Sequence, residues 1–243
     1  EQALASAAAA DNTAPGGPLH GLPVAIKDLQ PTANLRTTYG SPNHADHVPD
    51  TDAGIVARIR AAGGIVIGKT NIPEFSIGAN TVNPLFGATG NPFAVDLTCG
   101  GSSGGSAVAV STAMAPLATG SDHGGSLRIP ASYCGVVGFR ATPGVVPHEL
   151  RNVTQTFYSV QGPMARTVED TALLLSVIAG RSRLDPMAFP LDAAALARLD
   201  PIDVEGLRVG VSEDLGGLLV SSTIRRTFRD RAQRLERIVG SVR

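Results

Sequence analysis

The sequence predicts an α/β fold, and three observations carry that expectation. Hydrophobic residues make up 43% and charged residues 17% of the 243 positions, the balance of a core-rich globular chain. A β-branched strand, an amphipathic helix and a second β-branched strand follow one another between Gly21 and Gly68, the order of a parallel crossover. Glycine then concentrates between Thr98 and Arg140, where two Gly/Ser loops frame an Ala/Val helix and a short strand.

Taken in order, Ala3 to Ala10 predicts a helix that stops in the breaker-rich stretch from Asp11 to Pro18. GLPVAIKD, Gly21 to Asp28, reads as a short buried strand with Lys27 at its end. Thr51 to Ala62 has helical periodicity, with Thr51 or Asp52 as N-cap and Gly63 as C-terminal stop. GIVIG, ending at Gly68, is the next strand. Thr167 to Ala179 predicts a helix that opens on a Thr167/Asp170 capping pattern and closes at Gly180. Leu191 to Leu199 and Ser221 to Ile238 read as helices, with Leu207 to Val211 as a strand between them.

No repeat and no linker divides the chain, so residues 1–243 read as one domain. The chain starts at Glu1 and stops at Arg243, which leads us to expect a partial chain lacking N-terminal and C-terminal portions. Ile224, Phe228 and Leu235 recur on roughly one helical face. That face is expected to be covered by a complementary remainder of the enzyme or by a second copy in a homodimer.

Charge narrows the partners. Twenty basic and 21 acidic side chains leave a net charge of -1, with no footprint for nucleic acid or an anionic membrane. A small, largely neutral molecule is the expected partner. No apolar run reaches the ~18 residues of a membrane span, and the Ala-rich start lacks a basic leader, so a cytoplasmic location is expected. Cys99 and Cys134 have no CxxC spacing and read as reduced core thiols. No metal or organic cofactor is called for.

One match to a known pattern misleads. Gly63, Gly68, Lys69 and Thr70 satisfy the phosphate-loop pattern, which would make the chain a nucleotide-binding module. The intervening residues include Ile65, Val66 and Ile67, which belong inside a strand and not in an open cradle. The plainer reading is a strand end with a solvated lysine.

The chemistry concentrates in CGGSSGGSA, Cys99 to Ala107, and GSDHGGSLRIPA, Gly120 to Ala131. Gly124 and Gly125 permit a tight turn before Ser126, and Pro130 suits the first turn of a following helix. Free N–H groups beside a serine are what an acyl-transfer oxyanion needs. For either loop alone, a flexible turn without chemistry is an equal reading. A serine nucleophile also needs a base. The five histidines, His20, His44, His47, His123 and His148, mostly sit in polar loops. Lys27 ends a buried run, and burial lowers the proton affinity of an amine. A lone lysine at a strand end is otherwise a snorkelling surface residue.

Together these segments resemble the amidase signature enzymes, whose hallmark is a Ser-Ser-Lys triad in a glycine- and serine-rich region. The family's lysine segment is matched by GLPVAIKD with Lys27. Its relay serine, held by a cis peptide bond, is matched by Ser102. Its nucleophile is matched by Ser126 in GSDHGGSLRIPA. The resemblance runs from about Gly21 to Ala179. It implies a mixed β-sheet flanked by helices on both faces, here the catalytic half of that fold. Oxyanion donors are implied at the backbone of His123, Gly124, Gly125 and Ser126, and supporting roles for Ser103, Asp122 and Arg128. Arg128 is also a candidate partner for an acidic substrate group. His123 departs from the small or aliphatic residue usual there. The implied activity is amide hydrolysis through an acyl-serine, with glutamine-dependent tRNA amidotransfer as the alternative.

Overall fold

The structure, a computed structural model, describes residues 1–149 and 158–242. Helix α1 spans Gln2–Asp11, and its alanines favour helix without burying any residue. Strand β1 is Pro23–Lys27, helix α2 Gly54–Ala61 and strand β2 Ile65–Thr70. Four short strands follow: β3 Val82–Asn83, β4 Gly87–Ala88, β5 Gly90–Asn91 and β6 Ala94–Thr98. Helix α3 is Gly104–Ser111, strand β7 Leu117–Asp122 and helix α4 Arg128–Cys134. Strand β8 is Val137–Gly138, β9 Val160–Ala165, and helix α5 Val168–Ile178.

These elements build a five-stranded sheet ordered β2-β1-β7-β9-β8. β1 lies parallel to both β2 and β7, whereas β9 runs antiparallel to β7 and β8. The sheet is therefore mixed, and the crossover from β1 through α2 to β2 is the parallel one the sequence predicts. The two-residue period of a strand divides its side chains between two cores. Val24 and Ile26 of β1 and Leu117 of β7 pack with Ile55, Val56 and Ile59 of α2 and Leu174 and Ile178 of α5. Ala25 and Ala118 face the other way, onto Ala107 and Val110 of α3 and Ala131 and Cys134 of α4. Helices thus cover both faces. α3 lies close to the end of β2, where a Cβ on Gly105 would come 2.4 Å from the Asn71 nitrogen. Cys99 and Cys134 are free and buried in the second core, and burial pushes the Cys134 thiol up to about 12.

The chain divides into two units, Glu1–Leu199 and Asp200–Arg243. In the second, β10 (Arg208–Val209) pairs in parallel with β11 (Ser241–Val242), and helix α6 spans Ser222–Leu235. α6 has no buried residue. Phe228 and Leu235 are half-buried and Ile224 is exposed. No helix among the described residues is long and apolar enough to cross a membrane.

Several expectations need correction. Asp52 does not cap α2: its carboxylate accepts from the Ala33 N–H at 2.7 Å and pairs with Arg60, so Ala53 is the N-cap. The helix predicted from Leu191 to Leu199 is only a 3-10 turn at Ala193–Ala197, since Pro190 and Pro201 bound a stretch too short to propagate. Lys69 is not solvated. It lies in β2 and donates to the Gln30 carbonyl and to the Thr32 and Thr37 hydroxyls, 3.9 Å from Asp28. Burial lowers its pKa to about 8, against the raising influence of Asp28 and Asp52. The Thr167 cap is as predicted, its hydroxyl accepting from the Asp170 N–H at 3.0 Å.

Ile59 is fully buried between α2 and the sheet, whereas Ile224 is 61% exposed. Urea unfolding should show Ile59→Ala losing about 2–5 kcal/mol, and Ile224→Ala within about 0.5 kcal/mol of the parent. Equal losses would contradict this placement of the core.

Candidate active site

β1 ends at the C-terminal edge of the sheet with Lys27 pointing to the α3 side, as strand alternation from Ala25 requires. Its side chain is fully buried. The Nζ meets three hydroxyls: Ser102 Oγ at 2.7 Å, Ser121 Oγ at 2.8 Å and Ser103 Oγ at 2.9 Å. Among the described residues no carboxylate lies within ion-pair distance of it. Burial brings its pKa from 10.5 down to about 7, with the Asp122 charge pulling the other way.

Ser102 and Ser103 precede α3. The peptide bond between Gly101 and Ser102 is cis, as the resemblance implies. Ser103 is the N-cap of α3 but does not use its hydroxyl as a cap. That hydroxyl donates to the Ser121 carbonyl at 3.2 Å and accepts from the Ser121 N–H and from Lys27. The Ser103 N–H in turn donates to the Ser126 carbonyl at 3.3 Å, which ties the two Gly/Ser loops together.

The second loop is organised by Asp122, the last residue of β7 and fully buried. Its Oδ1 accepts from the Gly125 N–H at 2.8 Å, and its Oδ2 from the Leu127 N–H at 3.2 Å. Arg128 engages both oxygens, at 2.9 and 3.1 Å, and Arg140 reaches Oδ1 at 3.0 Å and the Asp122 carbonyl. Burial pushes this carboxyl up, but Arg128, the two N–H donors and the Arg128 charge outweigh it and hold the pKa at about 2. The guanidinium of Arg128 is thus spent on the loop. Gly125, at φ 118°, turns its N–H inward onto Asp122, so this N–H differs from the expected outward donor. Among the described residues, the N–H groups of His123, Gly124 and Ser126 donate to no protein acceptor.

Ser126 is half-buried and, with Ser102, Ser121, His123 and Gly124, lines a cavity of about 470 Å³. The His123 ring stands edge-on to Tyr158, with centroids 5.8 Å apart. The structure therefore brings Lys27, Ser102, Ser103, Asp122 and Ser126 into one region. No group of three metal-ligating side chains is formed among the described residues. Ser121 and Arg140 belong to this network and escape the sequence reading. Ser121 immediately precedes Asp122 at the end of β7, and it meets Lys27 because β7 lies beside β1, a tertiary pairing with no local signal in the sequence.

Comparison with known proteins bears on this geometry. A family model described as Amidase matches residues 1–240. An acylamidase of Rhodococcus erythropolis is 43% identical over 200 residues, covering 82% of this chain and 42% of that protein. A glutamyl-tRNA(Gln) amidotransferase chain of Natronomonas pharaonis is 44% identical over 222 residues, 90% of this chain and 52% of that protein. The crystal structure of a bacterial aryl acylamidase of the amidase signature family superposes with a TM-score of 0.88 at 30% identity, over 99% of this chain and 51% of that one. The chain spans about half the length of these relatives.

The lowered pKa of Asp122 makes its contribution depend on pH. The carboxylate form is favoured in the folded state, so this stabilisation is present above about 3.8 and is lost as pH falls through about 2. Asp122→Asn should cost on the order of 2 kcal/mol or more at pH 7, a gap that closes on acidification. Urea titrations of both proteins between pH 7 and 2 test this, and a gap independent of pH would contradict it.

Proposed function

The chain belongs to the amidase family, and from that premise we propose that it cleaves a carboxylic amide to acid and amine through an acyl-serine. The observation that carries this reading is the buried Lys27 Nζ set among three serine hydroxyls, with no carboxylate among the described residues within ion-pair distance of it. A neutral amine has two N–H donors and one lone pair, which three hydroxyls satisfy. The lone pair is then available to Ser102.

In the proposed sequence, Lys27 accepts the Ser102 proton while Ser102 takes the proton of Ser126. The Ser126 Oγ bonds to the amide carbon, and the carbonyl oxygen becomes an oxyanion facing the N–H groups of His123, Gly124 and Ser126. Collapse breaks the C–N bond, and the relay returns its proton to the departing amine. Water then attacks the acyl-serine along the same proton path and releases the acid. Ser121 and Ser103 orient the Lys27 amine, and Asp122, with Arg128 and Arg140, holds the donor loop. The small-molecule amide is the partner this chemistry requires.

The named relatives also support a second reading, one component of a glutamyl-tRNA(Gln) amidotransferase, at 44% identity in one case. In that reading the amide is glutamine, and the ammonia passes to the other components of the complex. Turnover of simple amides by the chain without added partners separates the two.

Ser126→Ala should abolish labelling by a fluorophosphonate probe and lower amide turnover by several orders of magnitude. Labelling that persists in this variant would remove Ser126 from the nucleophile's role.

With Lys27 near 7, the neutral fraction grows as pH rises through that value. The profile of kcat/KM should therefore climb through about pH 7 and level off above it. Lys27→Ala should lose most activity across the whole range. A loss in His123→Ala as deep as in Lys27→Ala would replace the lysine with a serine–histidine pair.

A further inference from the structure

One wall of the catalytic cavity is made by a segment that the proton relay does not use. At Glu74–Ser76 the chain forms a 3-10 turn in which Phe75 (φ 50°, ψ 23°) and Ser76 (φ 59°) both take left-handed conformations. Bulky side chains rarely adopt that region. Two in succession persist only where the surroundings impose them, and such residues cluster at binding sites.

The imposing contacts are visible. The Phe75 N–H donates to the Tyr39 carbonyl at 2.7 Å, and the Glu74 carboxylate accepts from the Ser41 hydroxyl at 2.6 Å. His44 stands edge-on to the Phe75 ring, with centroids 6.0 Å apart and planes at 89°. The result holds apolar surface outward: Phe75 is 44% and Ile77 80% exposed. Both line the cavity that holds Ser102 and Ser126, with Leu29 and Ile129 beside them.

Charge is the second observation. Among the described residues that line this cavity there is no Asp, Glu, Lys or Arg. The nearby guanidinium groups of Arg128 and Arg140 are bound to Asp122. A charged substituent entering here would lose hydration without gaining a counter-charge. An apolar ring would instead cover exposed phenylalanine and isoleucine surface.

We propose that Phe75 and Ile77 form a specificity wall selecting amides with uncharged, apolar substituents, aromatic ones above all, over amides with charged groups such as glutamine. This rests on the reading of Ser126 as the amide-cleaving nucleophile and names the substrate class of that site. The wall acts on the substituent, so its loss alters discrimination between amides.

The test is kcat/KM of the full chain for acetamide, benzamide and glutamine, with fluorophosphonate labelling of Ser126 measured in every variant. Benzamide should exceed acetamide by about 10-fold or more, and glutamine should be the poorest. Phe75→Ala should lower the benzamide-to-acetamide ratio by about 10-fold, and Phe75→Leu by less. Ile77→Asp should lower benzamide turnover and raise that of an amide bearing a primary ammonium group. If Phe75→Ala folds poorly, the ratio in Phe75→Leu and the Ile77→Asp switch decide. Normal labelling with an unchanged ratio, or with glutamine preferred, overturns the wall and leaves the nucleophile standing. Failure of the unmodified chain to label overturns the nucleophile, and the wall with it.

Discussion

The site depends on the burial of one amine without a counter-ion. A lysine sealed from water needs either a carboxylate or neutrality. Among the described residues Lys27 has only hydroxyl partners, and burial lowers its pKa to about 7. The rest of the structure keeps this arrangement dry and fixed. β1 is sandwiched between β2 and β7, both of its faces are covered by helices, and the hydroxyls come from the loop before α3 and from the end of β7. Removing any of these elements would readmit water, and a hydrated lysine would hold its proton.

Asp122 solves the opposite problem. Its carboxylate is also buried, yet it collects two N–H donors and two guanidinium groups. Such pairing keeps it ionised. Its charge then orders the turn from His123 to Leu127 and draws the Gly125 N–H inward. The N–H groups of His123, Gly124 and Ser126 donate to no protein acceptor among the described residues, as the proposed oxyanion requires. One buried charge is satisfied completely so that neighbouring donors need not be.

Much of this was legible in the sequence. The buried apolar run of Val24, Ala25 and Ile26, the helical pattern after Asp52 and the β-branched run that follows lead to the parallel crossover. Gly124 and Gly125 mark the turn before Ser126. The spacing of the Gly/Ser segments points to Lys27, Ser102 and Ser126 through the family resemblance. Other features are tertiary and leave no local trace. Ser121 becomes a lysine partner only because β7 lies beside β1. Asp52 looks like a cap from its neighbours alone, but Ala33 and Arg60 claim its carboxylate. The stretch after Leu191 has helical composition, yet the prolines at both ends leave too little length for propagation. The antiparallel partner of β7 was equally hidden, since β9 lies far along the chain.

The fate of Lys69 shows how the sheet assigns roles to two similar residues. Lys69 and Lys27 lie on adjacent parallel strands, and both are largely withdrawn from water. Lys69 pairs in register with Ile26, and Lys27 with Thr70. A one-residue offset places their side chains on opposite faces. Asp28, two residues from Ile26, shares the Lys69 face and lies 3.9 Å from its Nζ. Lys69 therefore has a carboxylate and backbone and hydroxyl acceptors, and its pKa falls only to about 8. Lys27 has the serine hydroxyls and falls to about 7. Burial is the leading cause for both, and carboxylate charge opposes it in each, from Asp28 and Asp52 at Lys69 and from Asp122 at Lys27. Because a strand alternates every residue, the dipeptide Lys27-Asp28 sends its base and its acid to opposite sides of the sheet. The carboxylate that would have neutralised Lys27 is thereby kept for Lys69, and the amine beside Ser102 is left without one.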